Sequence, residues 1–304
     1  MNMKTRKLKI VCLTAVTLLG VLISSCKASD SPKLPSGTLV WIQNDNTIDQ
    51  WNNTTGQKKP LLTLPYGTTI ESLTKVTSTE LIFSSYRTQG APESTDYHLW
   101  LFNIKSKKLT KLRTGSMPTY VKNAHKLFFL DEGQDLFMAD YRVPGAITNV
   151  EKIHAEGQIT VGDITVIQVS PNEVIFNYYA FNGIHQILEY NIKTGKWKPL
   201  PIASCNPVLW RKPAQQILCT KGDSFNYYLT NLQGDYTVSM GNLSYTNFFL
   251  YLPRIDAAFA SRPSSSIETN DIWIYYFETE EWNRLVKNAN GSLGTATWFG
   301  DKAQ

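Results

Sequence analysis

One unit recurs along this chain: an aromatic-rich apolar segment, an Asn or Asp, a short polar turn, then a second segment ending near Leu. The clearest copies are LWLFNIKSKKLTKL from Leu99, ILEYNIKTGKWKPL from Ile187 and IWIYYFETEEWNRL from Ile272. IDQWNNTTGQKKPL from Ile48 aligns through its Thr-Gly turn, and LFMADYRVPGAITNV from Leu136 and YYLTNLQGDYTV from Tyr227 are weaker copies. Lining up Asn52, Asn103, Asp140, Asn191, Asn231 and Tyr276 gives spacings of 51, 37, 51, 40 and 45 residues. A unit repeating at about that period cannot bury its apolar faces alone and must stack on its neighbours.

The rest of the pattern says what stacks. No long amphipathic helical period is present; short apolar and aromatic runs alternate with Gly, Asn, Asp, Pro and Ser, which marks an all-β chain of many short strands. Two further strand-like segments precede each unit, giving four strands per repeat. In the third repeat these are MPTYVK, KLFFLD, DLFMADY and ITNVEKI; in the fourth, ITVIQV, EVIFNYYA, HQILEYN and KWKPL; in the fifth, NPVLW, QQILCT, NYYLTN and YTVS. Six such units at this spacing imply a six-bladed β-propeller of four-stranded antiparallel blades. The two ends are incomplete in complementary ways. TLVWIQ and TIDQWN near the start match second and third strands, whereas TATWF, residues 295–299, is an inner strand without partners. One C-terminal strand joined to three N-terminal strands closes the ring and removes its free edges. A β-sandwich or two small β domains are the alternative architectures.

VSPNEVIFNYY, residues 169–179, resembles the Ser-Pro-Asp/Asn turn that enters the second strand in TolB-like six-bladed propellers, with Glu173 where that motif usually has Gly. The resemblance implies an envelope propeller and no particular activity, because such a fold hosts many functions.

The N-terminus supplies an address. Lys4, Arg6, Lys7 and Lys9 precede an apolar run at residues 10–23, and Ser24 and Ser25 lead into Cys26. A basic region, a short apolar core and small residues describe an export signal. The run is shorter than the ~20 apolar residues that span a bilayer. LISSC resembles the lipobox of bacterial lipoproteins, which implies cleavage before Cys26 and acylation of that residue. Ordinary secretion with cleavage after a serine, or an uncleaved anchor, are the alternatives. More than one acyl chain is needed for firm anchoring, and the triacylated cysteine of that family meets the need. Lys27, rather than an acidic residue, follows Cys26, which by the Gram-negative sorting pattern implies the outer membrane, facing the periplasm. Residues 27–36, KASDSPKLPS, read as a flexible tether. The expected organisation is a signal at 1–25, a tether at 26–36 and the propeller at 37–304.

That organisation changes the meaning of the charge. The formal net charge of +5 includes the four positives of the signal, leaving 26 basic and 25 acidic residues from Cys26 onward. The near-neutral remainder gives no nucleic-acid footprint, and the lysines of IKSKKLTKLR, residues 104–113, read as a solvated strand face.

Of four cysteines, Cys12 leaves with the signal and Cys26 is the lipid site, so Cys205 and Cys219 remain. A hairpin turning at Arg211 to Ala214 places them opposite each other on neighbouring strands, and an exported chain meets conditions in which a disulfide persists. Two separate buried thiols are the alternative.

Catalytic candidates are sparse. His98, His125, His154 and His185 are scattered, and no zinc-ligand spacing, G-x-S-x-G elbow, P-loop or dinucleotide fingerprint occurs. DEGQD, residues 131–135, lacks the longer alternating acidic pattern of a calcium loop and reads as an acidic turn. In the expected inner strands Glu71 is the sole carboxylate, with Asp163 just before one; Asn247 lies within one, and Trp210 and Trp298 sit near strand ends. These five residues are the candidates for a channel-mouth binding site. Trp100, Trp197, Trp273 and Trp282 recur at equivalent repeat positions and read as blade packing.

The function expected from sequence is a lipid-anchored envelope propeller, monomeric, without catalysis, cofactor or metal. It would serve as a binding or scaffold module for cell-envelope proteins, held at the membrane by its N-terminal lipid. The alternatives are a calcium-dependent lactonase-like enzyme working in the channel, which needs several carboxylates there, and a carbohydrate-binding surface lipoprotein, which needs exposed coplanar aromatics.

Overall fold

In the computed structural model, continuous apolar runs such as LVWI at 39–42, LIF at 81–83 and LFFL at 127–130 form strands buried on both faces. The structure describes residues 33–88, 96–132, 135–143, 145–153, 165–179, 185–203, 205–221, 226–235, 237–243, 245–264, 269–289 and 296–300. Among these, 24 strands form six four-stranded sheets, with one 3-10 turn at Lys122–Ala124 and no α-helix. Each sheet is a blade, with strands A to D running from the inside outward.

Blade 1 joins β24 (Ala296–Gly300) as strand A to β1 (Gly37–Asn44), β2 (Thr47–Asn52) and β3 (Lys58–Thr63). Blade 2 is β4 (Thr68–Lys75), β5 (Glu80–Arg87), β6 (His98–Asn103) and β7 (Leu109–Thr114). Blade 3 is β8 (Ser116–Val121), β9 (Lys126–Leu130), β10 (Leu136–Arg142) and β11 (Ala146–Lys152). Blade 4 is β12 (Val166–Ser170), β13 (Glu173–Tyr179), β14 (His185–Asn191) and β15 (Lys196–Pro199). Blade 5 is β16 (Asn206–Arg211), β17 (Gln216–Thr220), β18 (Asn226–Asn231) and β19 (Thr237–Asn242). Blade 6 is β20 (Asn247–Leu252), β21 (Ala257–Pro263), β22 (Asn270–Tyr276) and β23 (Glu281–Ala289). All pairings are antiparallel, and the closure expected from the chain ends is present: Thr38 pairs with Phe299 and Trp41 with Ala296.

The apolar runs follow from this stacking. Successive side chains of a strand point to opposite faces, and each face of a B strand meets a different blade. Leu81 and Phe83 join blade 1 residues Val40 and Ile48, whereas Ile82 joins Leu127 and Phe129 of blade 3. Phe128 and Leu130 in turn pack with Val174 and Phe176 of blade 4. Further clusters join blades 4 to 5 through Ile175 and Ile217, and 5 to 6 through Leu218 and Ala258. At the seam between blades 6 and 1, Phe259 lies 5.6 Å from Trp298, ring centre to ring centre. Outer strands carry less of this load, and β11 is exposed along nearly its whole length.

The aligned Asn positions have a local reason. Oδ1 of Asn52 accepts from the backbone N–H of Thr54 and Thr55, that of Asn103 from Lys105 and Ser106, and that of Asn191 from Lys193 and Thr194. Asn231 does the same for Gln233 and Asp235. Each is an Asx turn closing a C–D hairpin. Asp140 departs from the alignment. Strand β10 runs on to Arg142, so Asp140 lies inside the strand, where it binds Lys126 and Asn149 instead. At the Ser-Pro-Asn turn, Ser170 donates to Glu173 at 2.8 Å, so Glu173 takes part in closing the A–B turn.

Cys205 and Cys219 form a disulfide with Cα atoms 5.1 Å apart. They are not register partners as the simple hairpin suggested. Cys219 pairs with Pro207, Cys205 precedes β16, and a bulge between Pro207 and Leu209 shifts the ladder.

Candidate binding face

Meandering antiparallel blades sort their connections onto two ends of the ring. The A–B and C–D turns lie at one end; the B–C loops and the D–A crossovers lie at the other. The first end is built from tight turns, many of them pinned by the Asx turns above. The longest connections, 88–97 and 153–165, both belong to the second.

The ends also differ in charge. Among the described residues, the A–B and C–D turns carry Lys105, Lys107, Lys108, Lys122, Lys193, Lys212 and Arg254 against Asp235, Asp256, Glu278 and Glu280. The B–C and D–A connections carry Asp45, Asp96, Asp131, Glu132 and Asp135 against Lys221. Asp256 is already neutralised, because Arg211 forks onto it with Nε 2.9 and 3.1 Å from its two oxygens, and Tyr251 donates to it at 2.6 Å.

The second end carries the exposed aromatics. Tyr66, in the crossover into blade 2, is 87% exposed, and Tyr245, in the crossover into blade 6, is 65% exposed. Beside Tyr66, Gly67 accepts the backbone N–H of Thr88, the residue after exposed Arg87. Tyr86 and Tyr97 meet at the same end of blade 2 with ring centres 4.8 Å apart, tilted by 52°. Sequence reasoning missed these tyrosines. Their signal was a Tyr held between Pro65 and Gly67, and another between Ser244 and Thr246, outside any apolar run.

Of the five residues expected at the channel mouth, four are among the described residues. Asn247 is exposed at the start of β20, on the acidic end. Glu71 lies at the β4 bulge and accepts from Ser84 at 3.2 Å. Trp210 is near the opposite end of its inner strand, half-buried against the cluster between blades 4 and 5, with its indole N–H enclosed. Trp298 is 0% exposed: it packs on Phe259 and over Gly37 and Gly300, which makes it a residue of the ring seam and removes it from any ligand surface. Asp163 and Cys26 lie outside the described residues. None of the eight tryptophans is exposed, so no tryptophan platform forms.

A hollow of about 460 Å³ lies on blade 3 between His125, Asp140, Tyr141, Arg142 and Val143. Its Asp140 and His125 side chains are engaged, whereas the buried Tyr141 hydroxyl has no hydrogen-bond partner. Hydrogen bonds from Lys126 and Asn149 hold the Asp140 carboxyl below its ordinary range, and His125 Nδ1 lies 3.2 Å from the Tyr120 hydroxyl. Burial pushes the Tyr141 hydroxyl far up, with the nearby Glu80 charge adding to the effect. In the acidic 131–135 segment the Asp135 N–H donates to Asp131, and Lys152 pairs with Asp135. Among the described residues, no three His, Cys, Asp or Glu side chains are grouped to hold a metal.

No protein-family model and no curated protein matches the chain in sequence. Solved structures match its shape. TolB from Acinetobacter baumannii superposes with a TM-score of 0.66 at 11% identity, over 98% of this chain and 74% of that one. A chain of a nidogen/laminin complex gives 0.62 at 10% identity, over 86% and 98%. An oligogalacturonate lyase from Vibrio parahaemolyticus gives 0.54 at 13% identity, over 77% and 73%. The fold is therefore that of a TolB-like six-bladed β-propeller.

Proposed function

We propose that the chain is a lipid-anchored module of the cell envelope that binds a protein partner through its acidic end and performs no catalysis. One observation carries the reading: the exposed tyrosines Tyr66 and Tyr245 share an end whose described connections are acidic. Tyrosine brings a large, rigid, amphipathic contact area at low entropic cost, and aromatic side chains are enriched at interface cores. The partner that fits is a protein surface with shallow apolar pockets ringed by Lys and Arg. The fold itself does not choose, since similar rings occur in a nidogen/laminin complex and in an oligogalacturonate lyase. The channel-enzyme alternative rests on Glu71, already engaged by Ser84, and on Asp163.

In this reading Cys26 is acylated, the tether follows, and the lipid confines the search for the partner to the membrane surface, the outer membrane in a Gram-negative envelope. Cross-linking of the membrane-anchored protein, followed by identification of captured species, tests it. A recurrent partner is expected, and Tyr66→Ala with Tyr245→Ala should abolish its capture. Repeated capture of no protein, or capture indifferent to both substitutions, would defeat the proposal.

A further inference from the structure

We infer that the A–B/C–D end of the ring rests on an anionic lipid surface, which turns the acidic end toward its partner. The orientation rests on the anchor at Cys26; the affinity for lipid does not.

The first observation is where the chain enters. Gly37 pairs with Gly300 at the end of the inner strand β24, so β1 begins at the A–B/C–D end. Asn53, in the C–D turn of blade 1, fastens the entering segment there. Its Nδ2 donates to the Pro35 carbonyl at 2.8 Å, its Oδ1 accepts from Gly37 N–H at 2.8 Å, and its own N–H donates to Gly37 O at 3.1 Å.

The second is reach. A flexible segment of ten residues, the length of 26–35, spans on average about 17 Å, and about 33–36 Å only when fully extended. An eight-residue strand such as β4 is itself about 26 Å long. A lipid at Cys26 would therefore favour the A–B/C–D end near the bilayer, whereas laying the opposite end on the surface would stretch those ten residues well past their average span.

The third is charge. Lys105, Lys107 and Lys108 in blade 2, Lys122 in blade 3, Lys193 in blade 4 and Lys212 in blade 5 put cations on this end around most of the ring. Lys75 comes from the same end of β4, donating to the Trp298 carbonyl at 2.8 Å. Asp235, Glu278 and Glu280 of blades 5 and 6 share this end, yet among the described residues its turns carry seven cations against four carboxylates, where the other end carries five carboxylates against one lysine. Juxtamembrane lysines are drawn to anionic headgroups and act within a Debye length of the surface.

The test uses the chain from Lys27 onward, which keeps the whole closed ring and carries no acyl group. It is sedimented with vesicles of phosphatidylcholine alone, or of phosphatidylcholine with one-quarter phosphatidylglycerol. Binding is expected only to the anionic vesicles and should fall steeply with added salt. The triple variant Lys105→Gln, Lys107→Gln, Lys108→Gln should weaken it about a hundredfold. A second variant, Lys193→Gln with Lys212→Gln, changes other blades and covers the case in which the first fails to fold. Equal binding to both vesicle types, no binding, or anionic binding untouched by either variant would overturn the inference. The mass of the Cys26 peptide from the membrane-extracted protein reports acylation separately, so failure of the anchor and failure of the lipid-facing surface are distinguished.

Discussion

Gly37 and Gly300 face each other across the strand pair that closes the ring, and the Trp298 indole lies over both. A Cβ at either position would collide with that indole, and at Gly300 also with the Ser36 carbonyl at 2.7 Å. The seam is thus a slot made by two missing side chains and filled by one large one. Gly300→Ala should displace Trp298 and lower the unfolding free energy by about 1–3 kcal/mol, the scale of core overpacking. Urea denaturation measures it; an unchanged midpoint would mean that the seam does not depend on the slot.

Arg211 and Asp256 tie blade 5 to blade 6, and their ionisation makes the tie pH-dependent. Burial alone would raise the Asp256 carboxyl, but hydrogen bonds from Arg211 and Tyr251 and the Arg211 charge outweigh it and hold the group below 3.8. A depressed carboxyl contributes stability above its ordinary value, and the contribution is lost as pH falls through the folded value. Asp256→Asn keeps a residue tolerant of the positive φ of 44°. It should cost about 1.5–3 kcal/mol at neutral pH, the scale of hydrogen bonds to charged groups. The gap between wild type and variant should hold down to about pH 4 and close below it. A gap that widens on acidification would contradict the assignment.

The Cys205–Cys219 bond closes a short loop between buried side chains. In the loop-entropy model a loop of about 15 residues contributes about 3 kcal/mol. The pair of substitutions Cys205→Ala and Cys219→Ala should lower the urea midpoint by the corresponding amount, with blade closure intact by circular dichroism. Identical midpoints for the oxidised wild type and the double variant would show that the bond adds nothing.

Asn103→Ala removes the acceptor for two turn N–H groups, at 3.1 and 2.9 Å. The expected loss is about 1 kcal/mol, comparable to the loss of a helix cap. Asp140→Ala, at the aligned position of blade 3, should leave its C–D turn unchanged and break the Lys126 pair instead. Amide hydrogen exchange of the turn residues separates the two outcomes, since only the first variant should speed exchange there.

The repeat was legible because a C–D turn imposes a local demand that Asn meets, and four of the six aligned positions meet it in the same way. Blade 3 broke the pattern because its third strand runs on two residues past Asp140, to Arg142, and a strand of unknown length hides that offset. Ring closure was legible because TATWF lacked partners at one end of the chain and TLVWIQ lacked an inner strand at the other. The place of Trp298 was not, because a tryptophan near an inner strand end looks the same whether it meets solvent or a pair of glycines distant in sequence. The opposite charge balance of the two ends was also invisible. Lys105 and Asp131 belong to different ends only once strand bounds sort turns from crossovers.

The proposed partner face is the acidic end that carries Tyr66 and Tyr245. A photo-crosslinking residue placed singly at Tyr66, Tyr245, Ser106 or Thr194 in the membrane-anchored protein tests it most directly, because the last two positions lie in C–D turns at the other end. The same captured protein from Tyr66 and Tyr245, absent from Ser106 and Thr194, is the predicted result. Capture of that protein from Ser106 and Thr194, with none from the tyrosine positions, would contradict it.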